Sequence, residues 1–324
     1  MQNATRSFFP VQVISSKKSE HNRWKKQGLV IRPDPSKPWM VTHAMLPFAD
    51  PIGGDLYRVY FSGRDRENRS WVSYVDARIG TSSLEIVKWA PAPALGLGAL
   101  GSFDDNGVTP SWVVTVNGKK YLYYIGWNKG STVRMGLLAG LAVSDDGGQT
   151  FRRVSRAPIL ERNDLEPYAL NTAPCVRYER GLWRMWYVSG VEWIHPNLPR
   201  YNIKYAESDD GAVWRRDGRV CIDFKSPEEY ALARPCVRLE DGIYKMWYSY
   251  KGENYRIGYA ESRDGISWSH KDNAIKIEGS SSGWDSRMQE YAFVFCHKKR
   301  KYMLYNGNDY GKEGIGLAVE EREG

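Results

Sequence analysis

Cysteine is scarce in this chain of 324 residues, and the four that occur, Cys175, Cys221, Cys236 and Cys296, lie far apart. Without paired spacings they build neither a zinc site nor a dense disulfide framework, and they read as reduced core thiols of a cytoplasmic protein. Long apolar runs are missing too, so no segment is suited to spanning a membrane. The first thirty residues hold only short apolar pieces such as FFPVQVI, broken by Pro10 and followed by Lys17 and Lys18, which offer no secretory apolar region with a small-residue cleavage site. Charge of one sign does not dominate: 46 basic against 38 acidic residues leave a formal +8. Such an excess suits an anionic ligand without demanding a nucleic acid, and the KKRK run at 298–301 falls in a predicted hairpin turn as a solvated charged stretch. Neither a nucleic acid nor a membrane is expected as a partner.

Aromatic and apolar residues are plentiful, at 13% and 42%, enough for a large core and too many for a disordered chain. They recur in order. The strand pairs LYRVYFSG, KYLYYIGW, WRMWYVSG, YKMWYSYKG and KYMLYNGN place Phe61, Tyr124, Tyr187, Tyr248 and Tyr305 at intervals of 57 to 63 residues. A second marker, Pro47, Pro110, Pro174 and Pro235 with Ala292 in fifth place, keeps the same register. Each unit reads as an apolar strand after the proline, an aromatic strand, a third strand such as IKYAESDDG and a fourth ending at Trp214 or Trp268. Alternating patterning and Gly/Asp turns make these four-stranded antiparallel sheets, and packing five of them radially buries both faces and hides the edges. The predicted fold is therefore all-β, a single five-bladed β-propeller with blades starting near 39, 101, 164, 226 and 283. The last unit lacks a fourth strand, while RWKKQGLVI near 23–31 matches VWRRDGRVCI, so the N-terminal segment is predicted to close the ring. The alternative leaves that basic segment outside the fold.

The turns SDDGGQTF, SDDGAVW and SRDGISW follow the third strands. In the first, Ser144, Asp146, Gly148 and Phe151 fit S-x-D-x-G-x-x-F, an Asp-box pattern of the sialidase type, in which Asp caps backbone N–H groups and Gly supplies the unusual dihedral. A calcium loop needs more oxygen ligands at regular spacing, so no metal and no other cofactor is expected.

In a propeller the starts of the inner strands meet at the central channel, which makes the segment before each marker proline the place to look for chemistry. The first blade offers His43 there, the second Asp104, Asp105 and Asn106, and the third Glu166, Tyr168 and Asn171. Glu228, Glu229, Tyr230 and Arg234 come from the fourth, and Asp285, Arg287 and Glu290 from the fifth. Asp104, Asp105, Glu166, Glu229 and Glu290 are the candidate catalytic acids, since glycosidic cleavage needs one carboxyl to protonate the leaving oxygen and another to activate water or attack. Glu166 is the expected general acid, with Asp104 or Asp105 as its ionised counterpart. Trp127, Tyr168, Trp193 and Tyr230 are expected to stack on a sugar ring, and the loop VEWIHPNLPRY, with His195, to cover the pocket. The bland alternative is that each acid pairs with a nearby Arg or caps a loop.

Five units, MWY strands, SxDG turns and acids at inner-strand starts resemble the propeller glycoside hydrolases of families 32, 43, 68, 117 and 130, over nearly the whole chain. The resemblance implies action on a glycosidic linkage by a hydrolase, phosphorylase or transferase, with a carbohydrate as partner. Two departures stand out. The first inner strand reads THAMLPFADP, with His43 near the place where families 32 and 43 carry an Asp and Asp50 late. The pair Arg64 and Asp65 is similar to an Arg-Asp pair of family 32 but follows a second strand. A non-catalytic sugar-binding propeller is the second reading.

Overall fold

The computed structural model describes residues 22–321, which are almost entirely strand and turn. Strand β1 spans Asn22–Ile31. The first antiparallel unit follows as β2 (Thr42–Gly53), β3 (Leu56–Arg64), β4 (Ser70–Ile79) and β5 (Leu84–Trp89). The same meander repeats as β6 (Gly107–Val116), β7 (Lys119–Lys129), β8 (Met135–Ser144) and β9 (Arg152–Arg153). A third run comprises β10 (Thr172–Glu179), β11 (Leu182–His195), β12 (Leu198–Ser208) and β13 (Val220–Ile222). It is succeeded by β14 (Ala231–Glu240), β15 (Ile243–Lys251), β16 (Tyr255–Ser262) and β17 (Ser269–His270). After β18 (Ile275–Lys276) come β19 (Glu290–His297), β20 (Arg300–Asn306) and β21 (Ile315–Glu320). Strand β1 pairs antiparallel with β21, Trp24 opposite Glu320 and Ile31 opposite Ile315, and β18 adds to its other side.

The first strand of each unit packs against its neighbour's, and side chains just after the marker position make the links. Ser111 Oγ donates to the Pro174 carbonyl at 2.7 Å, while the Val237 and Val294 N–H groups donate to the thiols of Cys175 and Cys236, each at 3.3 Å. Phe48 sits 5.1 Å from Trp112 and 4.5 Å from Phe293. Asn306 joins the last unit to the first, accepting from Leu46 N–H and donating to the Ala44 carbonyl, both at 2.8 Å.

The Asp-box turns form a second set of links. Asp146 Oδ1 accepts from Ser144 Oγ and from the N–H of Gln149, and Asp210 and Asp264 repeat the pattern. The turn carbonyls receive an aromatic donor from the preceding unit: Tyr60 O–H to Gly148, Tyr123 O–H to Gly211 and Trp186 Nε1 to Gly265. Gly148, at φ +88°, lets the Tyr60 hydroxyl come within 2.1 Å of where a Cβ would stand.

Two expectations need correction. The fourth strands begin after Trp214 and Trp268 rather than ending there, because these indoles plug the neighbouring unit edge-on, 6.1 Å from Tyr123 and 6.3 Å from Trp186. Cys175, Cys221 and Cys236 are buried, but Cys296 is exposed, since strand alternation turns Phe295 inward and Cys296 out. No helix among the described residues is long and apolar enough to cross a membrane.

Candidate functional site

The inner strands carry a bulge at one repeated place. Register shifts between Met45 and Phe48, Thr172 and Cys175, Ala233 and Cys236, and Glu290 and Phe293 each straddle the marker. The residue just before the marker, Leu46, Ala173, Arg234 or Tyr291, has a φ of +48° to +56°. Left-handed backbone at non-glycine residues is strained, and strain repeated at equivalent points marks a site the fold holds open. All four residues line one cavity of about 450 Å³, within the size range of small-molecule sites.

Its walls come from the far ends of the second strands, where Arg64, Trp127 and Lys251 stand three residues past their aromatic markers, and from Tyr201, Tyr230, Tyr255 and Tyr310. Tyr201 and Tyr255 share a hydroxyl contact of 2.6 Å. Lys251 Nζ donates to Tyr310 O–H at 3.0 Å and lies 5.1 Å from the Tyr255 ring centre. Burial pushes the Tyr255 and Tyr291 phenols well above their usual range and Tyr201 to about 12, so all three are neutral donors at pH 7. The residues expected to cover the pocket do so in part. The segment forms a β11–β12 hairpin whose tip, Asn197 to Pro199, lines the cavity, while Trp193 lies along the arm and His195 is exposed.

Of the sequence-derived candidates, Arg64, Trp127, Tyr230 and Arg234 line this cavity, with Asn106 beside them. None of the five candidate acids does. Asp104 accepts from Tyr124 O–H at 2.9 Å, Arg153 Nε at 2.7 Å and Ser102 Oγ at 2.8 Å. Glu166 accepts from Tyr187 O–H at 2.5 Å and from Arg216, with Lys204 Nζ at 3.6 Å. Asp285 accepts from Tyr305 O–H at 2.9 Å and Lys26 Nζ at 2.8 Å. In the fourth unit Tyr248 reaches Asp272 at 3.0 Å, and Lys225 joins Asp272 at 2.6 Å to Glu229 at 3.2 Å. The aromatic marker is thus the phenol of a repeated acid–tyrosine–cation staple, and Phe61, which has no hydroxyl, has no such acid. In the loops ahead of the inner strands Asp104, Glu166 and Asp285 turn back onto their own sheets, while Asn106 and Tyr230 of such loops reach the cavity. That geometry counters the expected convergence of Asp104, Glu166, Glu229 and Glu290, and it surrounds Glu166 with the Tyr187 hydroxyl and the Arg216 and Lys204 cations.

The remaining candidates are local. Asp105 caps the Gly101 N–H and accepts from Asn128 Nδ2, and Asp65 closes its turn by accepting from the Glu67 and Arg69 N–H groups and Trp71 Nε1. Asn171 is buried and accepts from Ser189 Oγ at 3.1 Å. Tyr168 packs at Gly190, away from the cavity lining, and Arg287 is exposed and paired with Asp309 at 3.0 Å. His43 is buried, 2.9 Å from Thr42 Oγ1, and burial with the nearby Arg64 and Lys312 charges pulls its pKa down to about 4.

Glu290 differs from the other acids. It is fully buried at the start of β19, and neither carboxylate oxygen has a hydrogen-bond partner among the described residues. Burial raises its pKa well above the usual range, and the Lys251 ammonium and the Tyr310 main chain oppose this only in part. Burial thus favours its protonated form, just behind the wall made by Lys251, Tyr255 and Tyr291. Sequence reasoning found Glu290 but missed Lys251, Tyr201, Tyr255, Tyr291, Arg134 and Tyr310. Counting three residues past each aromatic marker finds Lys251, and taking the residue before each marker finds Tyr291. Among the described residues no three His, Cys, Asp or Glu side chains gather as a metal site requires.

An all-β chain with this sheet arrangement has the fold of the propeller glycoside hydrolases. It superimposes on the BT0996 RGII complex with a TM-score of 0.74 at 18% identity, covering 94% of this protein and 94% of that one. A thermostable family-43 glycoside hydrolase aligns with a TM-score of 0.64 at 16% identity, over 90% of this chain and 92% of that one. No family profile matches the sequence. The chain belongs to the same family as two proteins of Mycobacterium tuberculosis, uncharacterized protein MT1551 of strain CDC 1551 / Oshkosh and uncharacterized protein Rv1502 of strain ATCC 25618 / H37Rv. They are 40% and 39% identical to it over 303 residues, 92% of this chain and 99% of each relative.

Proposed function

We propose that the chain is a single five-bladed propeller, with blades starting near 39, 101, 164, 226 and 283 and residues 23–31 as the outer strand of the last, and that it binds a carbohydrate in the central cavity. The pairing of β1 with β21 and the links from each inner strand to the next support the closed ring. The observation that carries the functional reading is a cavity of sugar-ring size, walled by Trp127 and five tyrosines, in a fold shared with glycoside hydrolases. Aromatic faces stack on the apolar side of a pyranose, and neutral phenols and amides bond its hydroxyls.

As a glycosidase-like enzyme the protein would use Glu290 as its proton donor, an acid beside the cavity whose protonated form burial favours and whose carboxyl oxygens have no hydrogen-bond partner among the described residues. Glu290→Gln keeps the shape and removes the proton. Turnover on a panel of aryl glycosides should fall on the order of a hundredfold or more while sugar binding changes little; unchanged turnover in the variant removes Glu290 from the reaction. A second reading, binding without cleavage, is favoured by the absence of Asp and Glu from the lining, because hydrolysis calls for two carboxyl groups flanking the bond. A wild-type protein that binds sugars and cleaves none selects that reading.

A further inference from the structure

The cavity is cationic without counter-ions. Arg64, Lys129, Arg134, Arg234 and Lys251 line it, and no carboxylate does. Elsewhere in the molecule buried or half-buried cations sit on an acid, as in Arg58–Asp76 at 2.7 Å, Arg153–Asp104 at 2.7 Å and Lys120–Asp50 at 2.6 Å. Here the polar partners are neutral. Arg64 donates to the Asn68 amide oxygen at 3.0 Å and Lys251 to the Tyr310 hydroxyl, while Arg134, which is exposed, has no side-chain hydrogen bond or ion pair among the described residues.

Arg234 is the most telling of these. Its side chain is 1% exposed at a left-handed residue of the cavity floor, and it donates to the carbonyls of Ser111 and Pro47, but its Nε has no partner. A buried guanidinium without a carboxylate is costly, and cross-linking two inner strands does not require one. Burial pulls its pKa down to about 10, and burial with the adjacent Arg134 charge lowers that of Arg64. Arg64 and Arg134 line the same cavity, an anion bound between two guanidinium groups is stabilised by both, and the planar Arg fork matches phosphate and carboxylate oxygens.

We infer that the sugar bound here carries an anionic group, a phosphate or a carboxylate, which Arg64 and Arg134 clamp above the Arg234 floor. The inference rests on the carbohydrate reading and sharpens it to a substrate class. Aromatic walls then hold the ring, and Lys251, fixed by Tyr310, supplies a further positive charge to the same volume.

Titration calorimetry on the full chain with glucose, glucose 1-phosphate, glucuronate and inorganic phosphate, at two salt concentrations, tests it. At least one anionic sugar should bind on the order of tenfold or more tighter than glucose, with affinity falling as salt rises. Arg134→Gln and Arg64→Gln should each remove most of that advantage, lowering the affinity for the anionic sugar several-fold more than that for glucose. Preference for glucose 1-phosphate identifies phosphate as the group, and preference for glucuronate identifies carboxylate. Glucose binding as tightly as both anionic sugars overturns the inference and leaves the carbohydrate reading standing. Inorganic phosphate binding as tightly as glucose 1-phosphate keeps the anion site and overturns the sugar reading. Failure of all three anions to bind, or to shift the melting temperature, overturns the inference outright.

Discussion

At the residue scale, identical side chains have opposite roles according to what surrounds them. Asp104, Glu166 and Asp285 are acceptors in ion pairs because a cation from far along the chain meets each one, whereas Glu290, equally buried, has no hydrogen-bond partner for either carboxyl oxygen among the described residues, and burial favours its protonated form. His43 shows a third outcome. Its pKa is displaced from 6.5 to about 4, chiefly by burial, so between those values the unfolded chain binds a proton that the folded one refuses. Stability should therefore decline as pH drops from about 6.5 to about 4, by up to about 3 kcal/mol from this group. His43→Gln should remove that part of the decline, read as urea midpoints at pH 7, 5.5 and 4. A variant whose midpoints track the wild type across the window would show that His43 titrates normally in the folded protein.

At the element scale, the staple depends on a small residue across the ladder. Tyr124 pairs with Gly140 on β8, and a Cβ at Gly140 would lie 2.2 Å from the Tyr124 ring. The phenol leans over this gap to reach Asp104, and Gly258 and Gly316 stand likewise opposite Tyr248 and Tyr305. Gly140→Ala should therefore cost about 1–3 kcal/mol by overpacking. Tyr124→Phe, which leaves Asp104 its Arg153 and Ser102 bonds, should cost only about 1 kcal/mol. Denaturant melts that reverse this order would mean that the phenol's position is set elsewhere. The repeat was legible from these strands because period-two alternation and Gly/Asp turns are local signals. Their acids were legible as a repeated feature as well, but the direction of each loop was not, since it depends on a gap in the neighbouring strand.

At the scale of the whole molecule, Lys26 on β1 reaches Asp285 across 259 positions of sequence, which ties the two ends of the sheet system together. Lys26→Met should leave Asp285 buried beside Tyr305 without a cation and cost about 3–5 kcal/mol in unfolding free energy. Adding Asp285→Asn should recover part of the loss, because the stranded charge is gone. Full stability in the single variant would argue that β1 does not close the last unit through this pair.

The sequence by itself determined the all-β fold, the register of the units, the Asp-box turns and the match of residues 23–31 to an outer strand. Each of these follows from patterning within a few residues or from comparing one unit with the next. Only the tertiary structure decided which polar groups face the cavity. The left-handed bulges aim Leu46, Ala173, Arg234 and Tyr291 inward, and the cations that capture Asp104, Glu166 and Asp285 come from strands and turns 49 to 259 residues away. A side chain's charge state and direction depend on those distant neighbours, so the same acid-rich segments that suggested a catalytic ring fold into staples around a basic, aromatic cavity.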